Sequence, residues 1–272
     1  MSSVILSTGR SVSLPERPRG RWKLWAIVAV VVAITVIMCL PGIGIGFDLQ
    51  AIVRNWQHGA DKVIKLLVPD WAFFPRTVAP WVETLQMAVI ATAVASVIAL
   101  PVSFWAARPS NPNAWTRGVV RTVLNVIRSI PDLLYAAVLV AMVGVGALPG
   151  ILALVIFNLG IIVKLVSEAI DITDAGPIEA GRAAGGTQTQ INRALVLADT
   201  WPAFASQVLF VFELNVRAST VLGLVGAGGM GLLIDSVRTF YRYDQLSLII
   251  LEILIVVIVI DVVSDAIRRR LV

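Results

Sequence analysis

The sequence predicts an all-α membrane protein with about six transmembrane helices, and three observations carry that prediction. Hydrophobic residues make up 58% of the 272 and charged residues only 14%, against about 45–50% and about 25% in soluble domains. Mean hydropathy is +0.87. The charged residues lie mostly in the gaps between apolar runs, each close to the roughly 20 residues that a spanning helix needs. The net charge of +5 therefore reads as membrane topology, not as a nucleic-acid surface. Cys39 is the single cysteine, which excludes an internal disulfide framework. With only one histidine beside it, a zinc site built from several Cys and His ligands is excluded too.

Residues 1–23 form a basic tail. The first span is Leu24 to Leu40, stopped by Pro41-Gly42 and followed by no A-x-A-like cleavage signal, so it is expected to stay uncleaved. Beyond it, Leu49, Ile52, Val53, Trp56, Ala60, Val63 and Leu67 recur at three- and four-residue steps. That stripe predicts an amphipathic helix on the outer leaflet, or one packed on the tops of the spans. His58 sits beside it and is read as structural. Residues 24–79 thus hold the first span and an external segment, and residues 80–272 the main transmembrane domain.

In that domain the second span is Thr84 to Ala107. The uncharged stretch Leu133 to Val163 is too long for one helix, and Leu148-Pro149-Gly150 is a turn signal inside it. A helical hairpin with spans near 126–147 and 151–170 is the simplest reading. The fifth span falls near 201–224 and the sixth near 245–265, both carrying charges: Glu213 and Arg217, then Glu252 and Asp261.

An even number of spans puts both termini on one side. The N-terminal tail, the Arg108–Arg128 region, the 164–193 region and Arg268-Arg269-Arg270 gather most of the Lys and Arg there. The positive-inside rule makes that side cytoplasmic. Trp22, Trp105, Trp115 and Trp201 then fall at the inner interface, Trp71 and Trp81 at the outer.

The inner loop 171–200 is the most informative connection. Thr173 or Asp174 can cap a short helix and Pro177 suits its first turn. The helix itself is rich in Ala and Gly, a shape fitted to close insertion into a groove of another protein; an ordinary surface loop is the competing reading. Two nucleotide-like motifs fail on context. Gly226-Ala227-Gly228-Gly229-Met230-Gly231 matches G-x-G-x-x-G but has no βαβ surroundings. It is better read as a helix break lining a cavity. Gly181 and Gly186 have P-loop spacing, yet Thr187 and Gln188 stand where Lys and Ser/Thr are needed. No catalytic constellation, cofactor or metal is expected, so the energy for any transport comes from a partner or an ion gradient.

Charge inside a bilayer is costly and points to function or to pairing. Glu213 and Arg217 have i, i+4 spacing with the acid first, the favourable order for an ion pair on one helix. The alternative is that Arg217, with Asn215 nearby, lines an anion path. Arg128-Ser129 before Pro131 is a second candidate, although Arg128 can also snorkel to the interface. Glu252 and Asp261 read as buried partners of basic side chains.

Glu179-Ala180-Gly181, Gly185, Leu195, Leu197 and Ala198 fall on the spacing E-A-A-x3-G-x9-I-x-L-P. The loop resembles the cytoplasmic coupling loop of bacterial ABC-importer permeases. Phe212 to Gly231, Arg128-Ser129-Ile130-Pro131 and the tail from Tyr241 are similar to phosphonate-transport permeases within that group. Gly181 replaces the second Ala and Ala198 the usual Pro. The resemblance implies a type I ABC-importer permease fold in the bacterial cytoplasmic membrane. It also implies two ATP-binding cassette subunits, a second permease copy (a homodimer over a heterodimer) and an extracytoplasmic solute-binding protein. Pro177, Glu179, Ala180, Gly181, Arg182, Ala183 and Gly185 would couple to the ATPase. Arg217, Asn215, Glu213, Arg128 and Ser129 are the substrate-path candidates, for phosphonate, phosphite or phosphate. A gradient-driven transporter using Glu213, Glu252 and Asp261 is the competing function.

Overall fold

The structure is a computed structural model that describes residues 3–5, 11–13, 22–40 and 49–271. The chain divides into two units, residues 1–61 and 62–272. In the first, a three-residue antiparallel pair joins β1 (Ser3–Ile5) to β2 (Ser11–Ser13), with Val4 opposite Val12. Most of the basic tail, and the 41–48 stop segment, lie outside the described residues. Helix α1 (Trp22–Cys39) is followed by α2 (Leu49–Arg54) and α3 (Trp56–Leu66). The apolar part of α1, Leu24–Cys39, is shorter than the four helices long enough to span a bilayer. At 1.5 Å per residue it reaches about 24 Å, somewhat short of a hydrocarbon core of about 30 Å.

The second unit is built on α4 (Phe74–Ala106), whose 33 residues extend for about 50 Å. Its buried stripe is made of small side chains: Ala88, Ala91, Ala95, Ala99 and Ala106 are fully buried. Against it lies α7 (Ala147–Asp171), which buries Gly150, Ala153 and Gly160 among Leu154, Ile162 and Val166. Small residues let two backbones approach where no hydrophobic force drives helices together in lipid. The third partner, α10 (Leu197–Leu222), continues a short α9 (Gln188–Ile191) through a π-helical turn at Asn192–Val196. The last helix, α12 (Tyr243–Leu271), is the most apolar candidate span and the least buried.

The third predicted span is corrected. It is two helices, α5 (Ala114–Ser129) and α6 (Asp132–Val143), bent by 82°. Pro131 supplies no N–H and pushes Ile130 to an extended conformation, φ −92° and ψ 127°. The hairpin turn is also displaced. It is Gly144–Gly146, with Gly144 at φ 100° and Gly146 at φ 147°, while Pro149 and Gly150 sit in the first turn of α7. Proline is tolerated there because first-turn N–H groups have no helical partner.

Helix α10 ends at a 3-10 turn, Gly223–Val225, before α11 (Gly229–Thr239). Gly223, Gly228, Gly229 and Gly231 of this break are buried and tightly packed; the expectation that the glycines line a cavity is replaced by close approach. A Cβ on Gly228 would lie 2.9 Å from both the Ala147 backbone and Glu83 Oε1. The Met230 N–H donates to Thr84 Oγ1 at 2.8 Å and the Gly146 N–H to the Gly226 carbonyl at 3.0 Å. The break is thus tied to α4 and to the turn between α6 and α7. The bundle has two ends, one carrying α8 (Ala175–Ala183) and the other α11.

Candidate functional site

At the α8 end a short helix stands on a braced platform. The Asp174 carboxylate accepts from the Gly176 N–H at 3.0 Å, capping α8. Only Ile178 of this helix is buried. Gly181 faces Leu195 and Ile191, and a Cβ there would come within 2.8 Å of Leu195 Cδ1. The chain turns back at Gly185, φ 79°, where the Gly186 N–H donates to the Gly181 carbonyl at 3.0 Å. Thr187 and Gln190 form a capping box that starts α9. Pro177, Glu179, Ala180, Arg182 and Ala183 are left exposed. The result is a low-bulk knob with one acid and one base, held by a single apolar anchor.

The platform is the α4–α5 loop. Asp171 accepts from the Arg108 N–H and from Arg121 Nη2, each at 2.7 Å. Gln188 Nε2 donates to the Pro109 carbonyl at 2.9 Å and Asn192 Nδ2 to the Ser110 carbonyl at 3.1 Å. Ile178 and these amides escaped the sequence reading. A single large apolar residue in an Ala/Gly segment was the available signal for Ile178; the amides carried none.

Between the ends lies a charged cluster joining α10 to α12. Arg217 Nη2 contacts Glu213 Oε1 and donates to Asp261 at 3.0 and 3.2 Å. The other Glu213 oxygen accepts from Arg268 Nη2 at 3.1 Å, and Arg268 also reaches Asp265 at 3.3 Å. The cluster holds one more carboxylate than guanidinium. The Arg217 side chain is 46% exposed and Glu213 only 14%, so the cluster opens on one side.

The remaining candidates separate. Asn215 is fully buried and donates to Thr92 Oγ1 at 2.8 Å, across to α4. Asn158 on α7 is fully buried with neither amide atom partnered. Arg128 and Ser129 lie at the α5–α6 bend; the Arg128 stem covers Gly160 and the Ser129 hydroxyl donates to the Val126 carbonyl at 2.7 Å. No contact among the described residues brings them to Arg217. Glu252 is buried, but its partners are the Thr77 hydroxyl and the Trp81 indole, both at 2.8 Å. This corrects the expected basic partner. Asp261 does pair with a base, though at a half-open site.

Residues 99–272 match the family described as binding-protein-dependent transport system inner membrane component. The chain belongs to this family. It is a permease, the non-catalytic membrane subunit of an ABC importer, and the ATPase is a separate partner. The permease is 36% identical over 251 residues to the phosphite transport system permease protein PtxC of Stutzerimonas stutzeri, covering 92% of this chain and 90% of that one. It is 39% identical over 191 residues to the phosphate-import permease protein PhnE of Mycolicibacterium smegmatis, covering 70% of this chain and 36% of that one. A chain of the inward-facing MetNI methionine ABC transporter superposes with a TM-score of 0.66 at 26% identity, over 75% of the permease and 99% of its counterpart. The type I importer fold follows, and the gradient-driven alternative is set aside.

Proposed function

We propose that two copies of this permease form the membrane pathway for a phosphorus oxyanion, with α8 of each copy seated on one ATPase subunit. The exposed, small-faced α8 carries this reading. Its anchor at Ile178, in one buried cluster with Ile170 of α7 and Phe204 of α10, passes a push on the knob to both helices, and Asp171 braces α7 to α5 through Arg121. In this reading the α8 end and both termini are cytoplasmic, and an extracytoplasmic binding protein delivers cargo at the α11 end. The cargo class follows the relatives, whose names specify phosphite and phosphate. ATP-driven closure of the ATPase pair supplies the differential interaction that switching between two states requires.

Arg217 is the residue of the pathway suited to the cargo, because its planar fork pairs with phosphate-like oxygens. Glu213 and Asp261 occupy it here, so cargo competes with Asp261 for the same donors and loosens α10 from α12 as it passes. The test is uptake of phosphite, phosphate and methylphosphonate by proteoliposomes holding the assembled transporter with ATP inside. Glu179→Lys and Gly185→Trp should abolish uptake and weaken co-purification of the ATPase. Full uptake with full ATPase association in both variants overturns the assignment of α8.

A further inference from the structure

At the α11 end, apart from the Arg217 cluster, a cleft of about 210 Å³ opens between the start of α4 and the turn from α11 to α12. Arg76 and Arg242 both line it, and no acidic residue does. Each guanidinium lies against a ring: Arg76 Cζ is 6.0 Å from the centroid of Phe73 and Arg242 Cζ is 5.8 Å from that of Phe240. Neither side chain has a carboxylate or carbonyl partner among the described residues. The acids nearby in sequence do not neutralise them: Asp70 accepts from the Ala72 N–H at 3.1 Å, Asp235 pairs with Arg238 at 3.0 Å, and Asp244 is exposed, with neither Asp70 nor Asp244 in the lining.

The scaffold around these cations is fixed. Phe73 is 6% exposed, and its N–H donates to the Asp70 carbonyl at 3.1 Å. Tyr241, immediately before Arg242, has φ 56°, the one positive φ outside glycine among the described residues. Such a backbone is strained in a bulky residue and gathers at binding sites. The turn is closed by the Arg242 N–H donating to the Val237 carbonyl at 3.1 Å. Gln245 also lines the cleft, and its buried Oε1 has no partner. Rotating that amide by half a turn puts two N–H donors where the oxygen stands.

Two guanidinia that line one cleft, with no acid in its lining, make it an electropositive mouth that an anion neutralises. The cleft is smaller than the roughly 300–1,000 Å³ of pockets for drug-sized ligands, and its donors match a tetrahedral oxyanion. We infer that Arg76, Arg242 and Gln245 form a binding site for a small phosphorus oxyanion at the outer mouth of the permease. The inference rests on the proposed pathway for its cargo class and its orientation. It adds a station where cargo released by the binding protein is held before it reaches Arg217.

The test is a binding titration on the purified permease in phosphatidylcholine nanodiscs without binding protein, with phosphite, inorganic phosphate and methylphosphonate as probes and chloride as control. Wild type should bind at least one oxyanion saturably. Arg76→Gln and Arg242→Gln should each weaken it by about tenfold or more, the scale of one lost charge-assisted contact. The Lys variants should retain part of the affinity, which separates lost charge from lost fold, and Arg238→Gln, at a residue already paired with Asp235, should leave it unchanged. Wild type that binds none of the probes, or Gln variants that bind as wild type does, overturns the site. One further outcome also overturns it: oxyanion binding erased by adding phosphatidylglycerol to the nanodiscs, which marks a lipid site. Uptake that proves independent of ATP would defeat the importer reading alone, because the titration involves no ATP.

Discussion

Arg217 illustrates how a half-open membrane site changes the worth of an ion pair. In water an exposed pair contributes about 0–1 kcal/mol. Here Arg217 stands between Glu213 on its own helix and Asp261 on α12, and removing it leaves two carboxylates facing each other. Arg217→Gln is therefore expected to lower both the thermal midpoint and uptake. The double variant with Glu213→Gln should recover part of the stability but not the uptake. Recovery of both would assign the cluster a purely structural role, and unchanged uptake in the single variant would remove Arg217 from the pathway. Glu252 gives a contrasting case, since it is buried and satisfies a hydroxyl and an indole. Glu252→Ala strands the Trp81 N–H, at a cost of about 1–3 kcal/mol for an unpaired buried group. Glu252→Gln keeps an acceptor and should cost less; a thermal melt in which the two variants are equal would refute this account. The Glu213–Arg217 pair was legible as an i, i+4 spacing, and Asp261 as the partner of some base, but not that the base is Arg217 or that Arg268 joins them. Their partnership depends on how α10 and α12 pack, and no local pattern encodes that.

At the scale of elements, the sequence signals that held were those with a local cause. Asp174 caps α8, Pro177 lies in its first turn and the helix stays small-faced, all of which the residue types alone anticipate. The signals that misled were those with two local solutions. Leu148-Pro149-Gly150 fits a turn or a helix start, and Gly144 with Gly146 took the turn, so proline fell where its missing N–H is harmless. Pro131 fits a kink inside a span or a break between helices, and the extended Ile130 made it a break. Because α8 has one anchor, its docking is separable from the bundle. Ile178→Ala removes a buried side chain, a change of about 2–5 kcal/mol in a well-packed core, but here the loss falls on a nine-residue helix. Hydrogen exchange over residues 175–187 should accelerate, and ATPase association should weaken, while α4, α7 and α10 keep their protection. Uniform loss of protection would instead make α8 an integral part of the core.

For the molecule as a whole, orientation ties the two ends to their partners. Arg108, Arg117, Arg121 and Arg193 stand at the α8 end, and Arg268-Arg269-Arg270 close α12 after it has run from the α11 end. At the α11 end, Arg238 is neutralised by Asp235, which leaves the smaller charge of Arg76 and Arg242 there. Moving the basic end across a membrane against its potential costs about 2.3 kcal/mol per charge per 100 mV, so the basic end is expected inside. The single cysteine makes this measurable. In a Cys39→Ser background, Ala183→Cys on the exposed face of α8 should react with a membrane-impermeant maleimide in inverted vesicles and not in intact cells. Tyr241→Cys at the exposed turn beside Arg242 should show the opposite pattern. If Ala183→Cys were labelled from outside, α8 would face a compartment without ATP. It could not then seat on a nucleotide-driven partner, and the cleft at Arg76 and Arg242 would open to the cytoplasm as an exit rather than an entrance.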